Sequence, residues 1–382
     1  MKIVFISGML PSGHYSQYVT GGLSEHQGVE LLVYTDKNPK NLKIKNCGVI
    51  KTVWSKSLRY IPEILSEIRK DRSDVVHLQH ELNMYGGILT ASFFPFLVVG
   101  IRILGPRVIT TVHAAVFKRQ VDDAFMKLFH QDSPFLRPFM LKLFFRYVYK
   151  TISLFSHALI VHTNLTKEIL VTDYGVDAKK VNVIPIAIPQ KEVDNSQKER
   201  FFFYFGYMVR RKGLGFALEG FRRYIEENPG SDYKLVLAGG VIKGQERAYD
   251  EILQVIKENH LEEKVIVKGF IEENQQDDLY RKAYAVVIPA VISMGSSGPL
   301  FHSVSYGKAV ICSKIGHFLE DIEDGKTGIL TDNDRWHEAF KFAAEHPEKI
   351  AEIEKNVEAK ARSRSPYVTT EKYMVLYKKP AS

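Results

Sequence analysis

Short apolar runs alternate with amphipathic stretches along nearly the whole chain. Residues 2–6, 29–34, 74–79, 107–112 and 158–162 are β-branched and aliphatic runs, the pattern of strands covered on both faces. Between them, Ile61, Ile64, Leu65 and Ile68 repeat at helical spacing. Residues 88–104 are apolar but interrupted by Pro95, Gly100 and Arg102. A membrane span needs ~20 apolar residues, so a buried helix is expected there. After a polar stretch at 191–199 the alternation restarts, with strands at 201–205, 234–238, 265–267, 285–288 and 309–312. Helices are predicted at 210–227, 249–258 and 277–283, then through 336–361, with a break at Pro366 and a last helix at 369–377. Strand–helix alternation, twice over, predicts two doubly wound α/β domains facing one another, with ligands at the carboxyl ends of their strands. The expected boundaries are domains 1–190 and 200–365, a linker at 191–199 and a terminal segment at 366–382.

A length of 382 residues agrees with two cores rather than one. Cys47 and Cys312 lie far apart, which excludes a disulfide framework or a cysteine metal motif and fits a reducing cytoplasm. The N-terminus is strand-like at once, without the apolar core of a signal peptide. The charge of +8 is uneven: residues 1–195 hold 24 Lys/Arg against 16 Asp/Glu, and the remainder balances. A basic first half suits an anionic partner, a phosphorylated acceptor or a membrane surface; scattered surface lysines would give the same total. Residues 135–149 have the pattern of a basic amphipathic helix, carrying Lys142 and Arg146 with Lys150 just beyond. Such a helix either lies in a lipid interface or faces a core with a solvated basic edge.

The candidate chemistry gathers in residues 289–330. An apolar strand runs into Pro289, then the turn Gly295-Ser296-Ser297-Gly298, then a helix opened by Pro299. Amides of a first helical turn have no internal partner and carry the positive end of the helix dipole, so this geometry binds phosphate; it is also an ordinary strand-to-helix turn. The loop after the first strand carries Gly8 and Gly13 without the spacing of a dinucleotide fingerprint. His80 and Glu81 follow one strand and His113 another, positions open to substrate in an α/β sheet and equally open to a packed histidine or a capping glutamate.

The ordered set of segments resembles the retaining glycosyltransferases of the GT-B fold, family 4. In the second half these are Gly206-Tyr-Met-Val-Arg-Arg-Lys212-Gly213, Val267-Lys-Gly269-Phe270, Ser296-Ser-Gly-Pro-Leu, Tyr306-Gly-Lys-Ala-Val-Ile, and Gly316 with Glu320 and Asp324-Gly-Lys-Thr-Gly328. In the first half they are Leu78-Gln79-His80-Glu81 with Gly86-Gly87, Thr110-Thr-Val-His113, Val161-His162-Thr163 and Val183-Ile-Pro185. The resemblance implies a C-terminal helix returning to the first domain and transfer of a sugar from a UDP- or GDP-linked donor. Lys212 would sit on the donor diphosphate, with Arg211 and the amides around Ser296, Ser297, Gly298 and Pro299. Gly269 and Phe270 would lie near the nucleobase, Gly13 over the diphosphate, Glu320 by the donor and His113 at the reacting centre. The acceptor, lipid-linked or phosphorylated, would lie near His80 and Glu81. No metal, cofactor or nucleic acid is implied, and the setting is cytoplasmic, with the inner membrane face as a possible contact. The chain departs from the family where its two glutamates fall at Met294 and His302, where an arginine is Tyr207, and at Ile186-Ala187. His302 can still reach a ribose through a ring nitrogen. The lost glutamates leave as the alternative an inactive relative that binds a nucleotide or glycan or acts as a partner subunit, and a GT-B sugar epimerase shares the architecture but fits the ordered motifs less well.

Overall fold

A computed structural model describes the chain except residues 10–13, 39, 42–45, 82–83, 130–136, 193–196, 243 and 380–382. The first half runs β1 (Lys2–Ile6), α1 (His14–Ser24), β2 (Glu30–Asp36), β3 (Val49–Trp54), α2 (Tyr60–Asp71), β4 (Val75–His80), α3 (Ile88–Leu104), β5 (Arg107–Val112), α4 (Asp123–Phe129), α5 (Pro138–Phe155), β6 (Ala158–Val161), α6 (Asn164–Thr172) and β7 (Val181–Val183). The second half runs β8 (Phe201–Phe205), α7 (Leu214–Glu227), β9 (Lys234–Ala238), α8 (Glu246–Glu258), β10 (Val265–Gly269), α9 (Glu273–Lys282), β11 (Ala285–Ile288), α10 (Gly298–Ser305), β12 (Val310–Ser313), α11 (Phe318–Asp321), β13 (Ile329–Thr331), α12 (Trp336–Glu345) and α13 (Pro347–Ser363). The chain closes with α14 (Pro366–Lys378).

The residues divide into two compact units, one of Met1–Met126, Ser133–Pro189 and Arg364–Ser382 and the other of Lys127–Asp132 and Gln190–Ser363. The first sheet has the order β3-β2-β1-β4-β5-β6-β7 and the second β10-β9-β8-β11-β12-β13. All pairings are parallel. Central strands are buried on both faces, which is why β11 reads as a continuous apolar run and β1 as one after Lys2, whereas β4 is equally buried but carries His77, Gln79 and His80. Strand order reverses between β1 and β4 in one sheet and between β8 and β11 in the other. At such a point neighbouring loops diverge to opposite faces and leave a crevice at the carboxyl edge.

Helix α14 belongs to the first unit. Its Tyr373 and Tyr377 are buried, and the Tyr373 hydroxyl lies 2.6 Å from that of Tyr15 on α1. Gly22 permits the crossing, because a Cβ there would stand 2.5 Å from the Pro366 carbonyl oxygen. Polarity alone marks 191–199 as a free linker, yet its ends are tied down in the second unit. Lys191 pairs with Asp277, and Lys198 reaches the buried Glu354 at 2.6 Å. Two expected helices are each divided. Residues 210–212 form a separate 3₁₀ turn before α7, and the 336–361 run breaks between His346 and Pro347.

Candidate functional site

In the second unit the site is built where β8 and β11 end side by side. After β8 the chain passes Gly206 and Tyr207, makes the 3₁₀ turn Arg210–Lys212, and turns into α7 at Gly213. Gly213 has φ +63°, the left-handed conformation glycine adopts without strain, and a Cβ there would meet the Ala290 backbone at 3.1 Å. The Val291 amide donates to the Arg211 carbonyl at 3.0 Å, which fixes the Lys212 turn against the loop after β11. Lys212 is half-buried, and its ammonium has no counter-ion among the described residues. Burial, and then the neighbouring Arg211, lower its pKa to about 8.

The loop leading to α10 is held from several sides. The Ala290 amide donates to Ser313 Oγ at 2.9 Å, and Ser293 Oγ lies 3.1 Å from His317 Nδ1. Ser297 caps α10 by accepting from the Leu300 amide, and Pro299 stands in the first turn. Ser296 Oγ is buried without a hydrogen-bond partner among the described residues, and Gly298 is exposed. Glu320 lies in the short helix α11 and is exposed, just beyond His317. At the ends of β8, β9 and β10, Gly239 lies so close to Gly206 that a Cβ would overlap its carbonyl oxygen. Gly269 ends β10 with φ +64°. Phe270 is 76% exposed and Tyr207 45%, and both rings come within 4 Å of where a Gly240 side chain would begin.

In the first unit the β4 and β5 ends carry a hydrogen-bonded chain. Gln79 Oε1 lies 2.8 Å from His113 Nε2, and Gln79 Nε2 lies 3.0 Å from His77 Nε2. An amide oxygen accepts and an amide nitrogen donates. The His113 proton is therefore on Nε2, while His77 carries its own on Nδ1 and donates to the Tyr377 hydroxyl at 2.5 Å. Tyr15 packs edge-on to His113, with ring centres 4.7 Å apart. Burial, reinforced by His162, His80 and His77, pushes the His113 pKa well down, so the ring is neutral.

Two expected ligands stand differently. His80 is 3% exposed, with ring centres 4.8 Å from Phe94 of α3 and 6.0 Å from Tyr149 of α5. Burial lowers its pKa to about 4. It wedges two helices instead of lying open to an acceptor; Glu81 beside it is exposed. His302 is 8% exposed, edge-on to Tyr280 and Tyr306, and its Nε2 already meets Gln276 Nε2 at 2.8 Å. Gly13 lies outside the described residues. Lys212 and Arg211 are held against Ala290 and Val291, at the start of the loop that leads to the 296–299 turn, and Phe270, next to Gly269, meets Tyr207 about Gly240. The sequence reading missed Gln79 and His77 as partners of His113. Their signal was the two-residue strand period, which puts positions 77 and 79 on one face of β4.

A family model described as "Glycosyl transferases group 1" matches residues 199–346, and one described as "Glycosyltransferase Family 4" matches 13–191. The O-antigen chain mannosyltransferase RfbU of Salmonella typhimurium is 25% identical over 227 residues, 58% of this chain and 61% of its own. The N-acetylgalactosamine-N,N'-diacetylbacillosaminyl-diphospho-undecaprenol 4-alpha-N-acetylgalactosaminyltransferase of Campylobacter jejuni is 27% identical over 182 residues, 46% of each chain. The match thus spans about half the length of these relatives. Among solved structures, Anabaena Alr3699/HepE in complex with UDP superimposes with a TM-score of 0.74 at 14% identity, covering 98% of this chain and 99% of that one. The two family models together take in most of the chain, and the chain belongs to the family 4-like glycosyltransferases of the GT-B fold.

Proposed function

We propose that the protein is a retaining glycosyltransferase that moves a sugar from a UDP- or GDP-linked donor to a lipid-linked or phosphorylated glycan acceptor. The observation that carries this reading is Lys212, a half-buried cation without a counter-ion among the described residues, tied to an amide-rich turn where two central strands end. When the donor bond between C1 and the diphosphate oxygen breaks, charge grows on the departing diphosphate. Lys212 and Arg211 meet that charge, and the amides and hydroxyls of Ser296–Pro299 add dipolar support. Tyr207 and Phe270 offer aromatic faces to the nucleobase, and Glu320 would accept hydrogen bonds from donor hydroxyls. The acceptor oxygen bonds to C1 on the face the diphosphate leaves, and its proton passes to the departing diphosphate oxygen. Written this way, the step needs no protein nucleophile and no metal. Neutral His113 would contact the donor sugar through Nδ1, and Glu81 would serve the acceptor. The first half's positive charge and the diphospho-undecaprenol in the Campylobacter relative's name favour an anionic, lipid-linked acceptor in the cytoplasm.

Met294 and the engaged ring of His302 favour a second reading, a nucleotide-binding relative without turnover. A thermal-shift panel of UDP, GDP and ADP sugars identifies the donor, because a ligand of the native state raises the melting temperature. Lys212→Ala is expected to lower turnover by about 10²–10³ at unchanged melting temperature. Wild-type rates in that variant would overturn the donor assignment; nucleotide binding without transfer to any acceptor would favour the second reading.

A further inference from the structure

Helices α3 and α5 pack side by side, with His80 wedged between Phe94 and Tyr149. Each buries one stripe and leaves another in solvent. On α3, Leu89, Phe93 and Phe96 are exposed while Phe94, Leu97 and Val98 are buried. On α5, Phe139, Leu143 and Tyr147 are exposed, at 62%, 61% and 42%. The two helices carry ten exposed large apolar side chains, and eight fall within the first ten residues of their helix. An outward apolar stripe of this kind on two adjacent helices marks an interaction surface.

The charges carried by the two helices are of one sign. Neither helix contains Asp or Glu, while Arg102, Lys142, Arg146 and Lys150 lie on them, Arg146 and Lys150 exposed. No helix among the described residues is long and apolar enough to cross a membrane. We propose that the outer faces of α3 and α5 form an in-plane docking surface for an anionic phospholipid bilayer. Apolar side chains enter the headgroup–acyl boundary while the cations meet lipid phosphates. A second copy fits less well, because a two-fold contact would bring the same basic residues together with no acidic partner on either helix. The apolar ends of both helices lie on the side where β4 delivers Glu81, since a helix returning in a parallel sheet begins at the strands' carboxyl edge. The surface would thus bring a lipid-linked acceptor to Glu81; that clause rests on the function proposed above, whereas the docking itself does not.

The test is co-sedimentation of the full chain with vesicles of phosphatidylcholine alone or with phosphatidylglycerol, without donor or acceptor. The wild type should sediment with the anionic vesicles, less so at high salt. Phe96→Ser with Leu143→Ser should weaken that binding by at least tenfold at unchanged melting temperature. Arg146→Gln with Lys150→Gln should remove most of the salt dependence. Absence of wild-type sedimentation, or equal binding by the serine variant, overturns the proposal. So does a wild-type dimer in light scattering that the serine variant abolishes without any vesicle binding. Donor binding is measured separately by melting shift, so failure of the docking surface and failure of the transferase reading are distinguishable.

Discussion

At the scale of single residues, Lys212 and the buried histidines give opposite pH signatures. The Lys212 ammonium is depressed to about 8, so its charge is present below that pH and lost as pH rises through it. Nucleoside diphosphate affinity should therefore fall about tenfold between pH 7 and pH 9, and Lys212→Arg should flatten that dependence in calorimetry. His77 and His80 are held neutral, their pKa values lowered to about 3 and about 4, mainly by burial. The unfolded chain takes up these protons near pH 6.5 and the folded chain does not, so stability drains away as pH falls from 6.5 towards 4. Each histidine should remove about 2 kcal/mol between pH 7 and pH 5, and His80→Phe, which keeps the aromatic contact, should recover one share in urea titrations. Residue types at strand ends told where chemistry is possible. The burial of His80 and His302 was not legible, because a buried and an open histidine look alike in sequence; the rings packed against them decide.

At the scale of elements, the boundaries of strands and helices follow apolar period and turn residues closely. Residues 88–104, 107–112, 201–205, 234–238 and 285–288 form the expected elements. The helices expected at 277–283 and 369–377 begin earlier, at Glu273 and Pro366, and one division falls where a special backbone intervenes. Gly213 in the left-handed region stops the 210–212 turn from joining α7, and that separation places Lys212 against the β11 loop. Gly220 shows a packing constraint that propensity hides. It lies inside α7 where alanine would favour helix by about 1 kcal/mol. A Cβ there would stand 2.2 Å from Trp336 Cβ and 2.9 Å from its carbonyl carbon on α12. Overpacking against backbone costs about 1–3 kcal/mol or more, so Gly220→Ala should lower the melting temperature of the second unit in calorimetry.

At the scale of the whole molecule, the chain's last helix completes its first unit. Helix α14 closes the buried cluster through Tyr15–Tyr373 and His77–Tyr377. Ending the chain before Pro366 would uncover Tyr15 and His77 and expose to water the apolar cluster against which Tyr373, Met374, Leu376 and Tyr377 pack. The first unit should then lose its cooperative transition in calorimetry, while residues 190–363 keep theirs; an unchanged first transition would refute this role for α14.

The sequence by itself determined the alternation of elements, the α/β class and the two sheets, because burial of a parallel strand and the period of a helix are written locally in residue order; the family was legible as an ordered set of motifs that resembles its members. The tertiary structure alone decided which polar groups share a neighbourhood. It bonded Gln79 to both His113 and His77, set Tyr207 and Phe270 about Gly240, buried His80 and His302 among aromatic rings, and left apolar side chains exposed on the adjacent helices α3 and α5. These are distances between residues far apart in the chain, fixed by sheet order and packing, and local pattern carries no record of them.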